Sequence, residues 1–307
     1  MHKWRRYGGL LAAGALSAGM LATGPASAQP SSTTRTCGLN LGSVTAGGDH
    51  RQQVITDDGL VVDNWIVAKD LYPDGQVRLS ATVRYGPSDV GGMARQGPVI
   101  MGSTMYDSNY VTADGTGAVT HKQVTRVGPG WQVYRSLDRS TYVTATTQRD
   151  TEYSLHNDGT LYRRNVTYKN GVASRQITGW QSGYRGVKAM TLISQTATYD
   201  TFLMTLTSGK LYTARLPLAG GHIIPGVVKQ VRGSTWQGFE TLIAAACDTG
   251  VLLLGIDKDT GSAYLYKVGH ANGAATSIRM IRKVPGSFKE PVYFHWQLFT
   301  GERLAGD

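Results

Sequence analysis

The chain has 307 residues, 31 Lys and Arg against 21 Asp and Glu, a formal charge of +10 and only two cysteines. That length fits one large domain or two small ones. The basic residues are dispersed without a Lys/Arg run, which argues against a nucleic-acid partner.

In chain order, residues 1–28 read as an export signal. Lys3, Arg5 and Arg6 form a cationic start, Leu10 to Thr23 is apolar, and Ala26-Ser27-Ala28 supplies a small-x-small cleavage pattern. The apolar stretch is shorter than the ~20 residues a membrane span needs, and no second stretch is long enough. Arg5-Arg6 leaves both the general and the twin-arginine export routes open. A secreted, extracellular protein without a membrane span is expected. Cleavage removes three basic residues and no acid, leaving +7. A charge of this size suits an anionic surface such as a cell wall or acidic polysaccharide, and equally serves solubility.

Residues 29–44 read as an N-terminal tail and 45–307 as one domain. Cys37 and Cys247 are expected to form a disulfide in an oxidising compartment. It would close a loop of about 210 residues, worth up to ~5 kcal/mol on the chain-entropy account.

From about residue 50 onward, short runs of Val, Ile, Thr and Tyr alternate with Gly, Asp, Asn and Pro, so the class is all-β. Two units recur. One is a hairpin: Tyr153 to Tyr162 turns at Asp158-Gly159, Phe202 to Tyr212 at Ser208-Gly209, and Leu252 to Tyr266 at Asp259-Thr260-Gly261. Tyr110 to Gly115 reads as a weaker copy. The other unit is a Trp-Gln pair followed by an aromatic, at Trp131-Gln132, Trp180-Gln181 and Trp236-Gln237, with Gly286-Ser287-Phe288 as a degraded fourth. From each Trp to the next hairpin glycine the intervals are 28, 29 and 25 residues.

A repeat of ~50 residues holding about four strands is the size of a propeller blade. Starts at Trp131, Trp180, Trp236 and Phe288, with a fifth near Tyr85, predict five blades of four antiparallel strands. The last blade is completed if Val54 to Val67 pairs with Val292 to Phe299, closing the ring between early and late strands and leaving no long open edge. A tandem of two β-sandwiches is the alternative, and the recurring Trp-to-Gly interval argues against it.

The Trp-x-x-aromatic segment paired with an Asp-Gly-x-Leu-Tyr hairpin resembles the tachylectin-2 family of five-bladed propeller lectins. Asp158 to Tyr162 with Gly179 to Tyr184 carries the resemblance best, and it extends over roughly residues 105–290. The family implies pockets for N-acetylamino sugars between neighbouring blades. This chain departs from it in uneven repeat lengths and in Phe288 where a Trp is expected.

Aromatic faces with polar neighbours are what a sugar site requires. The candidates are Trp131, Trp180 and Trp236, with Gln132, Gln181 and Gln237 beside them and Tyr162, Tyr212 and Tyr266 on the hairpins. Packing between blades competes for the same rings, and the three Trp side chains, Trp180 included, are expected in the core.

The enzyme case is thin. The four glutamates, Glu152, Glu240, Glu290 and Glu302, are dispersed, and no pair of carboxylates suited to glycoside cleavage can be named. The histidines after residue 28 stand singly, and no metal-ligand spacing or cofactor motif is present. The expectation is a monomeric, non-catalytic protein that binds N-acetylated amino sugars on glycans or cell-wall polysaccharide, without metal or cofactor. A polysaccharide-acting enzyme using the central cleft and a protein-interaction scaffold remain the alternatives.

Overall fold

The computed structural model describes residues 37–113, 116–169, 172–219, 224 and 226–307. The export segment 1–28, the turn residues Asp114-Gly115 and His222 lie outside them.

The architecture is a β-propeller built from 21 strands and, among the described residues, one short 3₁₀ turn. The first strands are β1 (Gly38–Val44), β2 (His50–Thr56) and β3 (Val61–Ala68), followed by β4 (Val77–Ser80), β5 (Val83–Pro87), β6 (Met93–Met101), β7 (Thr104–Thr112) and β8 (Val119–Pro129). Three four-stranded antiparallel blades follow. They are β9 (Tyr134–Val143), β10 (Gln148–His156), β11 (Leu161–Lys169) and β12 (Val172–Gln181); then β13 (Val187–Gln195), β14 (Tyr199–Leu206), β15 (Leu211–Pro217) and β16 (Val227–Arg232); then β17 (Thr241–Cys247), β18 (Gly250–Asp257), β19 (Ser262–Val268) and β20 (Ile278–Val284). Strand β21 (Val292–Leu298) is last.

The remaining nine strands form one sheet with two arms. One arm runs β21-β1-β2-β3, and the other runs from β4 and β5 through β6 and β7 to β8. A short parallel pairing of Trp296 with Val83 and Leu298 with Tyr85 joins them.

An early strand pairs with a late one, as expected, but not the strand expected. The partner of β21 is β1, with Leu41 opposite His295 and Val44 opposite Val292. Residues 54–67 instead supply parts of β2 and β3, farther out in the same arm. The segment read as a tail therefore contributes a strand. Gly42 sits opposite Phe294, where any Cβ would meet the ring at 2.2 Å, so the glycine makes room for the aromatic that seals the joint. The Cys37–Cys247 disulfide ties the start of β1 to the end of β17.

Burial explains which runs became which strands. β18, GVLLLGID, is buried along nearly its whole length and reads as an apolar run, and β13 is almost as buried although Lys188, Thr191 and Ser194 interrupt its apolar residues. The outermost strands β3, β8, β16 and β20 are mostly exposed and mix polar with apolar residues. Most of the apolar core lies between β13–β19 and the strands beside them, centred on Phe202, Leu203, Leu253 and Leu254.

Between the β4–β8 arm and the β9–β12 blade the apolar cluster is small, with Ile100, Met105, Trp131 and Leu137 at its centre. Buried ion pairs supplement it. Arg175 of β12 bridges Asp107 of β7 at 2.9 Å and Glu152 of β10 at 2.7 Å, while within the β9–β12 blade Arg139 forms a fork on Asp150. Asp200, fully buried, accepts from Arg149, Tyr153 and Ser140 and links the next two blades.

Candidate functional site

The conserved geometry of the repeat is a backbone bond. At each junction the carbonyl of a hairpin accepts the amide of an aromatic that opens the next unit. The pairs are Gly48 with Tyr72, Ser103 with Trp131, Gly159 with Tyr184, Gly209 with Trp236 and Gly261 with Phe288, at 2.9–3.1 Å. Gly159 has φ +91, and a Cβ there would come within 2.4 Å of the Arg185 amide. Positive φ and close approach both demand glycine at this turn.

This series corrects three sequence expectations. Tyr72, not Tyr85, opens the unit before Trp131; Tyr85 lies in β5 against Trp296. Tyr184, not Trp180, opens the unit after Gly159. The hairpin equivalent to the others in the β4–β8 arm is the β6–β7 turn at Gly102-Ser103, whereas Tyr110 to Thr112 closes β7 and the expected turn residues Asp114-Gly115 lie outside the described residues. With these substitutions the hairpin-to-aromatic intervals become nearly even, which was the available signal: Gly159 to Tyr184 spans 25 residues, and both Gly209 to Trp236 and Gly261 to Phe288 span 27.

The five opening rings are buried, between 0% and 7% exposed. Arg164 lies over Trp131 at 4.8 Å, and Tyr134 packs beside it at 4.9 Å. Trp236 packs against Tyr266 at 5.1 Å and Phe239 at 5.5 Å. Trp131 and Trp236 are thus wedges between blades, and neither offers an open face to a sugar.

Trp180 behaves differently. It lies on β12, directly opposite Tyr162 of β11, and is 40% exposed rather than core. Directly opposed residues project on the same face of a sheet. Gln181 is half-buried and accepts the Gly226 amide at 2.9 Å, while Gln132 and Gln237 are exposed. Tyr162, Tyr212 and Tyr266 are half-buried, and Tyr212 donates to Gln230 at 2.9 Å. The nine candidate residues are therefore dispersed over three blades, and half-exposed Trp180 has Tyr162 as its cross-strand neighbour.

The central cleft, expected from the sequence only as the place an enzyme would use, forms a second candidate site whose residues were not legible there. The inner strands β4, β9, β13, β17 and β21 surround a central cavity of about 160 Å³. The beginnings of these strands form its mouth, where Arg78, Arg135, Lys188, Glu240 and Lys258 gather. Glu302 and Leu304 lie at the other end, bonded to the ends of the inner strands: Leu304 accepts the Gln195 amide, and Glu302 accepts the Ala246 amide.

The mouth cations hold neighbouring units together. Arg78 donates to the carbonyls of Gly102, Tyr134 and Trp131, and Arg135 donates to those of Asn157, Tyr184 and Arg185. Lys188 reaches the Gln237 carbonyl at 2.5 Å and the Glu240 carboxylate. Lys258 donates from Nζ to the Pro291 carbonyl at 2.6 Å. Burial lowers the basicity of Arg135 and Lys258, with Asp158 and Glu240 respectively opposing it.

Deeper in the cavity, burial pushes the Asp138 carboxyl up to about 7, although the amides of Arg139 and Leu192 donate to its oxygens. The three cavity-lining acids are each engaged: Asp138 by two amides, Glu240 by Lys188 and the Lys258 amide, Glu302 by Ala246 and His295 at 3.4 Å. Outside the cavity, His50 is fully buried among Tyr72, Tyr110, Phe294 and Trp296. Burial, with Arg95 adding to it, pushes its imidazole down to about 3.

Among the described residues, the one cluster of metal-ligating types is Cys37, Cys247 and Asp248, and its two sulfurs are joined in the disulfide. Among the described residues, no helix is long and apolar enough to cross a membrane.

No protein-family model and no curated protein matches the chain. Among solved structures that match is the WD40 domain of SCAP from fission yeast, with 7% identity and a TM-score of 0.35 over 81% of this chain and 70% of that one.

Proposed function

We propose that the protein is an exported, non-catalytic carbohydrate-binding propeller that recognises N-acetylated amino sugars on glycans or cell-wall polysaccharide. Counting each arm of the nine-stranded sheet as a blade gives it five, the number in the tachylectin-like lectins that its hairpins resemble. The observation that carries the reading is the half-exposed Trp180 opposite Tyr162; Gln181, next along β12, projects to the other face with Leu161 and accepts the Gly226 amide there. An exposed indole face suits the apolar face of a pyranose. The export-type segment and the disulfide favour an oxidising, extracellular setting. Since Trp131 and Trp236 are enclosed, the blades are unequal and one dominant site replaces a ring of equal ones.

The test is retention of the protein on immobilised N-acetylglucosamine and titration with chitin oligomers. Retention that Trp180→Ala abolishes is expected. Absence of retention in the parent protein overturns the lectin reading. A protein-interaction scaffold is the second reading, favoured by apolar side chains exposed on outer strands, among them Val62 and Trp65 on β3 and Val227 and Val228 on β16.

A further inference from the structure

The mouth of the central cavity combines unequal charge with access to a confined space. Four cations, Arg78, Arg135, Lys188 and Lys258, stand against one mouth acid, Glu240. Lys188 is paired with that acid. The hydrogen bonds of Arg78 and Arg135 go to backbone carbonyls, and among the described residues neither forms an ion pair. Carbonyl dipoles satisfy the donors but do not cancel the charge. In addition, Nε of Arg135 is buried without a hydrogen-bond partner, and an unmet buried donor is costly.

Like charges gathered around a low-dielectric opening raise the local concentration of anions. The space behind is close in size to the ~150 Å³ engineered cavities that accept a single small ring, and its wall includes Ser136, Thr191 and Thr241. Glu302 and Leu304 line the far end, so the cations are concentrated at one end of the space.

We propose that this mouth is a second binding site, specific for the carboxylate of an acidic sugar residue such as a uronate at the end of a glycan chain. It deepens the glycan reading by adding a class of sugar, and it is separate from the Trp180 platform. The carboxylate sits among the mouth cations, while hydroxyls of the same ring face the wall. At neutral pH the anion would share the cavity with Asp138, whose carboxyl is half protonated near pH 7 and so opposes it least on the acid side.

The experiment is calorimetric titration of the whole protein with glucuronate, glucose and inorganic phosphate at low and physiological salt. Glucuronate is expected to bind at least about tenfold tighter than glucose, and to weaken as salt rises. Lys258→Gln should weaken glucuronate by about fivefold to tenfold, whereas Glu240→Gln, which removes the mouth acid, should tighten it by a similar factor. Because a misfolded variant does not bind more tightly, the second result separates recognition from structural damage.

Equal affinity for glucose, no saturable binding of glucuronate, or no tightening in Glu240→Gln overturns the site. Phosphate binding as tightly as glucuronate overturns the assignment to an acidic sugar. Loss of glucuronate binding with N-acetylglucosamine retention intact overturns only this inference, and the converse overturns only the Trp180 reading.

Discussion

The amide of Tyr184 donates to the carbonyl of Gly159 at 2.9 Å, whereas Trp180, four residues earlier, ends the preceding blade with its ring 40% exposed. Both aromatics follow the same hairpin, and only the second wedges between blades. Trp236→Ala and Tyr184→Ala should therefore each cost about 3–5 kcal/mol, as large aromatics removed from a core do. Trp180→Ala should cost less than ~1 kcal/mol, in line with surface substitutions. Urea denaturation of the three variants checks the order; a Trp180 variant as damaged as the Trp236 variant would contradict it.

The disulfide should be complete in folded, oxidised protein. Intact mass should show no free thiol, and non-reducing peptide mapping should join Cys37 to Cys247. Replacing both by Ser should lower stability by up to ~5 kcal/mol, given the 210-residue separation that the bond constrains. Two alkylatable thiols in folded protein would refute the link.

Arg175→Met should be severe. It leaves Glu152, fully buried, and Asp107 without their shared cation, and breaking a buried pair from one side costs about 3–5 kcal/mol. Combining it with Glu152→Gln and Asp107→Asn should recover much of the loss, because no uncompensated charge then remains. A triple variant no more stable than the single one would count against a role for charge burial.

Two buried groups should give opposing pH dependences. Asp138 titrates near 3.8 when unfolded and about 7 when folded. Between those values the folded state holds the extra proton, so stability falls as pH rises. His50 titrates near 6.5 when unfolded and about 3 when folded. There the unfolded state holds the extra proton, so stability falls as pH drops. From pH 3.8 to 6.5 the two slopes work against each other. Asp138→Asn should expose the loss on acidification, and His50→Asn should expose the decline on raising the pH towards 7. Calorimetric melting temperatures across that range are the measurement; parent-like profiles in both variants would refute it.

Local chemistry determined much of the fold. The glycine turns at Gly159, Gly209 and Gly261 were legible because a tight hairpin requires positive φ, and the alternating Val, Thr and Tyr runs between them specify strands. The link between Cys37 and Cys247 followed from there being two cysteines and an export signal to read. Which aromatic of a pair enters the core was not legible, since Trp180 and Tyr184 are both large, both apolar and four residues apart. Only the Gly159 carbonyl, in place to receive one amide, decides between them. Pairing of β1 with β21 was likewise a tertiary decision: Gly42 accepts Phe294 across some 250 residues, and no local pattern distinguishes it from the strand-forming residues 54–67. The cationic mouth is the furthest from sequence, because Arg78, Arg135, Lys188 and Lys258 lie in different repeats and become neighbours only when the inner strands converge on one axis.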